Sequence, residues 1–165
     1  MTSTPPLDHD ASASPSTEFV PAPATVEAAP MATKVFPSWD AFAAYVAAYQ
    51  RQTFQVFRSK TSTSVATRNQ RIAALNAKKY GPNSDIPDDR TMPAELGVYA
   101  KQLVCTHEGK PRSRGKGVRR QSLRATDCPA TINALAKRRH GGDSTQVSGW
   151  QVVVTRHVPF HNHPL

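Results

Sequence analysis

Residues 128–136 read Cys128-Pro129-Ala130-Thr131-Ile132-Asn133-Ala134-Leu135-Ala136. Ala130, Ile132, Ala134 and Ala136 fall on one side of an extended chain, which is the period of two that a half-buried β-strand needs. A further strand-like run precedes it at 97–105 (GVYAKQLVC), and another follows at 149–158 (GWQVVVTRHV). Residues 138–148 (RRHGGDSTQVS) supply the turn chemistry of a hairpin between the last two runs. Three consecutive strands of an antiparallel sheet are expected.

The ends of these strands carry the chemistry. Cys105 closes the first, Cys128 opens the second, and His161 and His163 follow the third. The pattern is C-x22-C-x32-H-x-H, without the tight C-x-x-C knuckle of common zinc fingers. Antiparallel strands bring both thiols to one end of the sheet, and the returning third strand brings the two imidazoles to the same end. Four sulfur and nitrogen donors converging in this way suit one tetrahedral Zn2+ per chain, and a closed Cys2His2 set leaves no position for water activation, so the metal is structural. Three alternatives stay open. His107, two residues after Cys105, is the first substitute ligand, with His157 and His140 behind it. Two buried thiols with two exposed imidazoles and no metal is the second. A Cys105–Cys128 disulfide is disfavoured, because the N-terminus carries no export signal.

Upstream, Pro37-Ser38-Trp39-Asp40 has the form of a helix start, with Ser38 as N-cap and Asp40 in the first turn. Trp39, Phe42, Tyr45 or Val46, and Tyr49 recur at helical spacing through Gln50, as a core stripe packing on the sheet. Residues 53–60 (TFQVFRSK) are β-rich, with Phe54 and Val56 on one face and Phe57 on the other, and 61–64 (TSTS) end that strand. Residues 64–80 suit a basic helix with a thin apolar face of Val65, Ile72 and Leu75, stopped by Gly81-Pro82. It is either loosely docked or formed on a partner. Residues 81–95 read as a turn-rich acidic linker. Residues 1–33, rich in Pro, Ala, Ser and Thr, cannot bury enough surface to offset their ordering entropy, and are expected to be a disordered tail. The chain is thus α+β. A small antiparallel sheet of four or five strands has structural zinc at one end and a packing N-terminal helix. The domain spans 34–165, with an insertion at about 61–95.

The chain has 165 residues and a formal charge of +9, with 38% hydrophobic residues. That hydrophobic share is below the ~45–50% of an ordinary globular domain. Residues 1–33 hold four acids and no Lys or Arg, so 34–165 carry all 21 basic residues against eight acids, a net of +13. Residues 110–124 (KPRSRGKGVRRQSLR) hold seven of those bases and no acid. Such a run repels itself unless an anion neutralises it. It lies between the two cysteines, so a metal would tether both of its ends, and Gly109, Gly115 and Gly117 let its backbone approach a phosphate. A solvated loop or an import signal is the plainer reading of the same run.

Several elements taken together resemble one known domain: Phe36-Pro-Ser-Trp-Asp-Ala-Phe, Phe57-Arg58-Ser59, Val104-Cys105-Thr-His-Glu-Gly109, Asp127-Cys128-Pro-Ala-Thr-Ile132, Trp150-Gln-Val-Val and His161-Asn-His-Pro164. That domain is the zinc-binding, DNA-binding domain of the far-red-impaired-response (FAR) family, in the wider WRKY and glial-cells-missing group. The chain is also similar to the N-terminal domain of SWIM-type zinc finger proteins, a group associated with Mutator-like transposases. The resemblance covers about residues 35–165. It implies a sheet with zinc at one end, in which the strand before the first cysteine-bearing strand, here 54–61, enters the DNA major groove edge-on. Arg58 and Lys60, in the corresponding segment, become candidate contacts. The WRKY heptapeptide is absent, so no base specificity carries over. The sequence stops two residues after His163, and no catalytic or interaction role of longer relatives is expected of it.

The function expected is a zinc-dependent module for double-stranded DNA, transcription-regulatory or transposase-derived, in the nucleus. Lys110, Arg112, Arg114, Lys116, Arg119, Arg120 and Arg124 are the expected phosphate contacts. The alternative is a zinc-stabilised protein-interaction module that has lost DNA binding. RNA recognition would use exposed stacking aromatics, and Tyr99 and Trp150 read more simply as core. No phosphate loop or nucleophile–base motif points to an enzyme, and neither a small-molecule substrate nor a membrane is expected as partner. The oligomeric state is left open.

Overall fold

The computed structural model describes residues 25–81, 90–110 and 124–165. Its elements in chain order are β1 (Val26–Glu27), β2 (Val35–Phe36), α1 (Trp39–Thr53), β3 (Phe57–Ser64), α2 (Val65–Tyr80), β4 (Val98–Cys105), β5 (Thr131–Arg138), β6 (Trp150–Val158) and β7 (Phe160–His161), with short 3-10 turns at Ala94–Leu96 and Val147–Gly149. Five strands form one antiparallel sheet in the order β2-β6-β5-β4-β3, and β1 pairs with β7 in a separate two-stranded ribbon. The α+β class and the antiparallel β4-β5-β6 arrangement agree with the sequence reading.

The alternation in β5 does what its pattern demands. Ala130, Ile132, Ala134 and Ala136 are all buried. Helix α1 lies over this face, with Phe42, Val46 and Tyr49 packed against Ile132, Ala134, Val152 and Val154. Each large apolar side chain removed from water there contributes on the order of 1.5–3 kcal/mol. Ser38 caps α1 as expected, its Oγ accepting from the Ala41 N–H at 3.1 Å. Helix α2 docks on the far end of the same face, where Val65, Met92, Ala136 and Trp150 form a second cluster. Asn69 clamps the chain beyond the helix, donating to the Met92 carbonyl and accepting from its N–H. Ile72 is buried and Leu75 is exposed, so only part of the expected apolar face is used.

Three expectations are corrected. Order begins before Val35: β1 pairs with β7, and Ala28 and Met31 are buried, so residues 25–33 belong to the folded unit and not to the tail. The segment is held because the Ala28 N–H reaches the Pro159 carbonyl and Tyr49 donates its hydroxyl to the Ala29 carbonyl. The strand expected at 53–60 starts later. α1 runs on to Thr53, and Phe54 ends it in the left-handed region at φ 56°. That turn leaves Phe54 78% and Val56 59% exposed, and sends Phe57 inward against the core. Residues 61–64 do not end β3 but continue it. Thr61 to Ser64 keep pairing with β4, and Ser64 then caps α2 directly. No described helix is long and apolar enough to cross a membrane.

Candidate metal centre

The sheet delivers its four donors to one end. In the β3–β4 pairing Phe57 lies opposite Cys105, and in β4–β5 Val104 lies opposite Thr131, so the chain entering β5 passes beside Cys105. The Cys105 N–H donates to the Ala130 carbonyl at 3.0 Å, fixing that approach. Cys128 therefore sits ahead of β5 rather than inside it. β6 returns antiparallel, and β7 brings His161 back beneath the thiols.

One donor atom from each of Cys105, Cys128, His161 and His163 lies within 4.8 Å of all the others. Cys105 Sγ is 3.1 Å from His163 Nε2, Cys128 Sγ is 3.4 Å from His161 Nδ1, and His161 Nδ1 is 3.3 Å from His163 Nε2. The two thiols are free and buried, and His161 is wholly buried. Such a group can hold a metal ion.

The hydrogen bonds around the imidazoles fix which nitrogen faces the cluster. His161 Nε2 stands 2.8 Å from Gln55 Oε1. Gln55 donates its amide to Thr53 Oγ1, which donates in turn to the Tyr49 carbonyl. In that chain Gln55 Oε1 can only accept, so His161 carries its proton on Nε2 and turns the Nδ1 lone pair to the thiols. His163 donates from Nδ1 to the Pro164 carbonyl at 2.7 Å, which leaves the Nε2 lone pair facing the thiols. Second partners of this kind orient ligating histidines and strengthen them.

Burial sets the electrostatics. It pushes His161 down from 6.5 to about 4, helped by His163 and His107, so the imidazole is neutral and available as a donor. Burial, with the nearby Cys128 adding to it, raises Cys105 from 9.0 to about 11, so a bound cation must displace its proton.

Of the three substitute ligands, His107 lies beside the group and His157 and His140 stand elsewhere. His107 Nδ1 is 3.7 Å from Cys105 Sγ, outside the four-donor group, and its ring lies against His163 with centroids 3.9 Å apart. Its backbone N–H points at Cys105 Sγ at 3.4 Å. His157 contacts the Tyr49 hydroxyl, and His140 is exposed in the β5–β6 connection.

The loop between the cysteines is closed at its base. The Thr126 and Cys128 N–H groups donate to the His107 carbonyl, and the Asp127 N–H donates to the Gly109 carbonyl. Asn162, between His161 and His163, donates to the Thr126 carbonyl and accepts from its hydroxyl. Gly109 uses its positive φ of 105° within this closure. Lys110 and Arg124 are exposed where the loop leaves and returns. Arg112, Arg114, Lys116, Arg119 and Arg120 lie outside the described residues. Arg58 and Lys60 lie on β3 and both bind Glu108.

Gln55 and Asn162 escaped the sequence reading. Gln55 was hidden because residues 53–60 read as a strand in which only Phe54, Val56 and Phe57 were assigned faces, whereas the turn after the helix buries it. Asn162 had a signal, its position between two ligands. Trp150 is buried, and the Arg68 guanidinium covers Tyr99 at 5.1 Å, so neither forms an open stacking platform. No known protein family, curated protein or solved structure matches this chain.

Proposed function

We propose that the chain is a zinc-dependent DNA-binding module of the FAR type in the WRKY and glial-cells-missing group, acting in the nucleus in transcription control or as a transposase derivative. Zinc suits the donors: a tetrahedron with Zn–S of ~2.3 Å and Zn–N of ~2.0–2.1 Å has edges of roughly 3.3–3.8 Å. The donor–donor distances of 3.1, 3.3 and 3.4 Å sit close to that range. Soft thiolates with imidazoles favour zinc over the oxygen-seeking cations. All four positions of the tetrahedron are taken by protein, so the ion holds β4, β5 and β7 together and supplies no catalysis.

The observation that carries the DNA reading is the closed base of the basic loop. A segment with seven bases leaves at Gly109 and returns at Thr126, pinned on both sides to metal-bearing residues. Lys110 and Arg124, at the described ends of that segment, are thereby set beside the thiols, where they can meet a phosphate backbone in register. Arg58 and Lys60, on the exposed edge of the sheet, would add to the same charged end.

The test is a titration of labelled duplex at several salt concentrations. About six phosphate contacts predict a log–log slope of roughly −5, from about −0.9 per contact. A flat salt response overturns phosphate contact as the main term. Replacing Arg119, Arg120 and Arg124 together should weaken duplex binding severalfold. Unchanged DNA affinity with lost nuclear import would favour the protein-interaction reading instead.

A further inference from the structure

The two cations on the edge of the sheet are already neutralised within the chain. β3 is the last strand of the sheet, and Arg58 and Lys60 lie two residues apart on it, with a register shift between Ser59 and Thr61 at Lys60. Bulges on edge strands re-aim side chains. Arg58 Nη2 is 2.8 Å from Glu108 Oε2, and Lys60 Nζ is 2.6 Å from Glu108 Oε1. Each cation thus takes one oxygen of a single carboxylate. The Arg58 and Lys60 side chains are 48% and 44% exposed, and Glu108 is 22% exposed.

Glu108 is placed there by the metal-bearing turn. Its N–H donates to the Cys105 carbonyl at 2.9 Å, folding the chain back towards β3 just after the first ligand.

We propose that Arg58 and Lys60 form a phosphate-binding fork and that Glu108 occupies this fork in the free chain as an internal competitor. The inference deepens the DNA-binding reading and rests on it. A carboxylate and a phosphate offer the same pair of anionic oxygens to an arginine and a lysine. A backbone phosphate that engages β3 must first displace Glu108. Contact at this edge therefore adds less affinity than two free cations would, and Glu108 sets how much.

The experiment uses the metal-loaded full chain as wild type, Glu108→Gln, Arg58→Ala/Lys60→Ala, and all three changes combined. Metal content and circular dichroism check that each is folded. Glu108→Gln should bind duplex about 3- to 10-fold tighter near 0.1 M salt, with a slope steeper by roughly 1. That gain should vanish when Arg58 and Lys60 are both alanine. Duplex that binds wild type and Glu108→Gln equally overturns the proposal. So does a gain that survives the loss of both cations, because Glu108 would then act through general charge. A second arm titrates inorganic phosphate and follows the backbone amides of Arg58 and Lys60 by NMR. Phosphate should move them in Glu108→Gln and much less in wild type, and no response in Glu108→Gln overturns the fork. If phosphate binds there while no variant binds duplex, the fork stands and the DNA reading fails.

Discussion

His161 carries the most chemistry of any single residue. It turns one nitrogen to the Cys128 thiol, donates from the other to Gln55, and is fully buried. Replacing Gln55 by Leu leaves that imidazole N–H without a partner, which should destabilise the fold by about 1–3 kcal/mol. Losing the orienting bond should also weaken metal affinity by roughly 10- to 100-fold. Denaturant midpoints and competition against a chromogenic chelator read the two effects. His107→Ala should keep the metal stoichiometry of wild type in the same assay, since His107 lies beside the cluster and not in it. The pH dependence follows from the same burial. His161 in the folded chain takes a proton only near pH 4, whereas the unfolded chain takes it near 6.5. Its contribution to stability is therefore complete above 6.5 and lost as pH falls from 6.5 to about 4. Cys105, raised to about 11, must release a proton to a metal. Apparent metal affinity should therefore fall at least about tenfold per unit from pH 8 to 5. An indicator titration across that range would show it, and a flat profile would exclude thiolate ligation.

At the scale of elements, the hairpin between β5 and β6 depends on close backbone contact. A Cβ on Gly149 would overlap the Asp143 carbonyl, and one on Gly142 would come within 2.6 Å of the Gly149 carbonyl. Gly149→Ala must therefore move the 139–149 connection. A loss of roughly 1–3 kcal/mol is expected, as for other overpacked sites, with shifts in amide NMR signals concentrated in residues 138–152. Ile132→Ala, at a fully buried position under α1, should cost about 2–5 kcal/mol in denaturant unfolding. What could be read in advance divides along physical lines. β5 was legible because its period-two alternation has few other solutions, and β4 and β6 because they are β-rich runs set off by turn residues. α1 was legible because Ser38 and the Trp39-to-Tyr49 stripe mark its start and its face. The start of β3 was not. Phe54-Gln55-Val56-Phe57 fits a strand equally well in either register, and a left-handed Phe54, which no propensity favours, decides the matter. β1 was invisible for a different reason: two residues with no local pattern become a strand only because β7, at Phe160–His161, arrives from the other end of the described chain.

At the scale of the whole molecule, the far ends of the described chain meet at one place. β1 pairs with β7, His161 and His163 join Cys105 and Cys128, and Asn162 ties the C-terminal segment to the base of the basic loop. The convergence of the ligands followed from strand order and could be read in sequence. The Asn162–Thr126 clamp and the Glu108 bridge could not, because each joins residues through turns whose direction no periodicity records. The apolar core under α1 is modest, and a structural zinc of this type supplies an apparent ~10–16 kcal/mol of binding free energy that is also folding free energy. A metal bound by these four donors would hold this end of the sheet together. Metal analysis of the purified chain, before and after chelation, tests this most directly. The account predicts one zinc per chain, its loss on Cys128→Ser or His163→Ala, and collapse of amide dispersion when a chelator removes it. A chain that purifies without metal and keeps its NMR spectrum unchanged in excess chelator would contradict it.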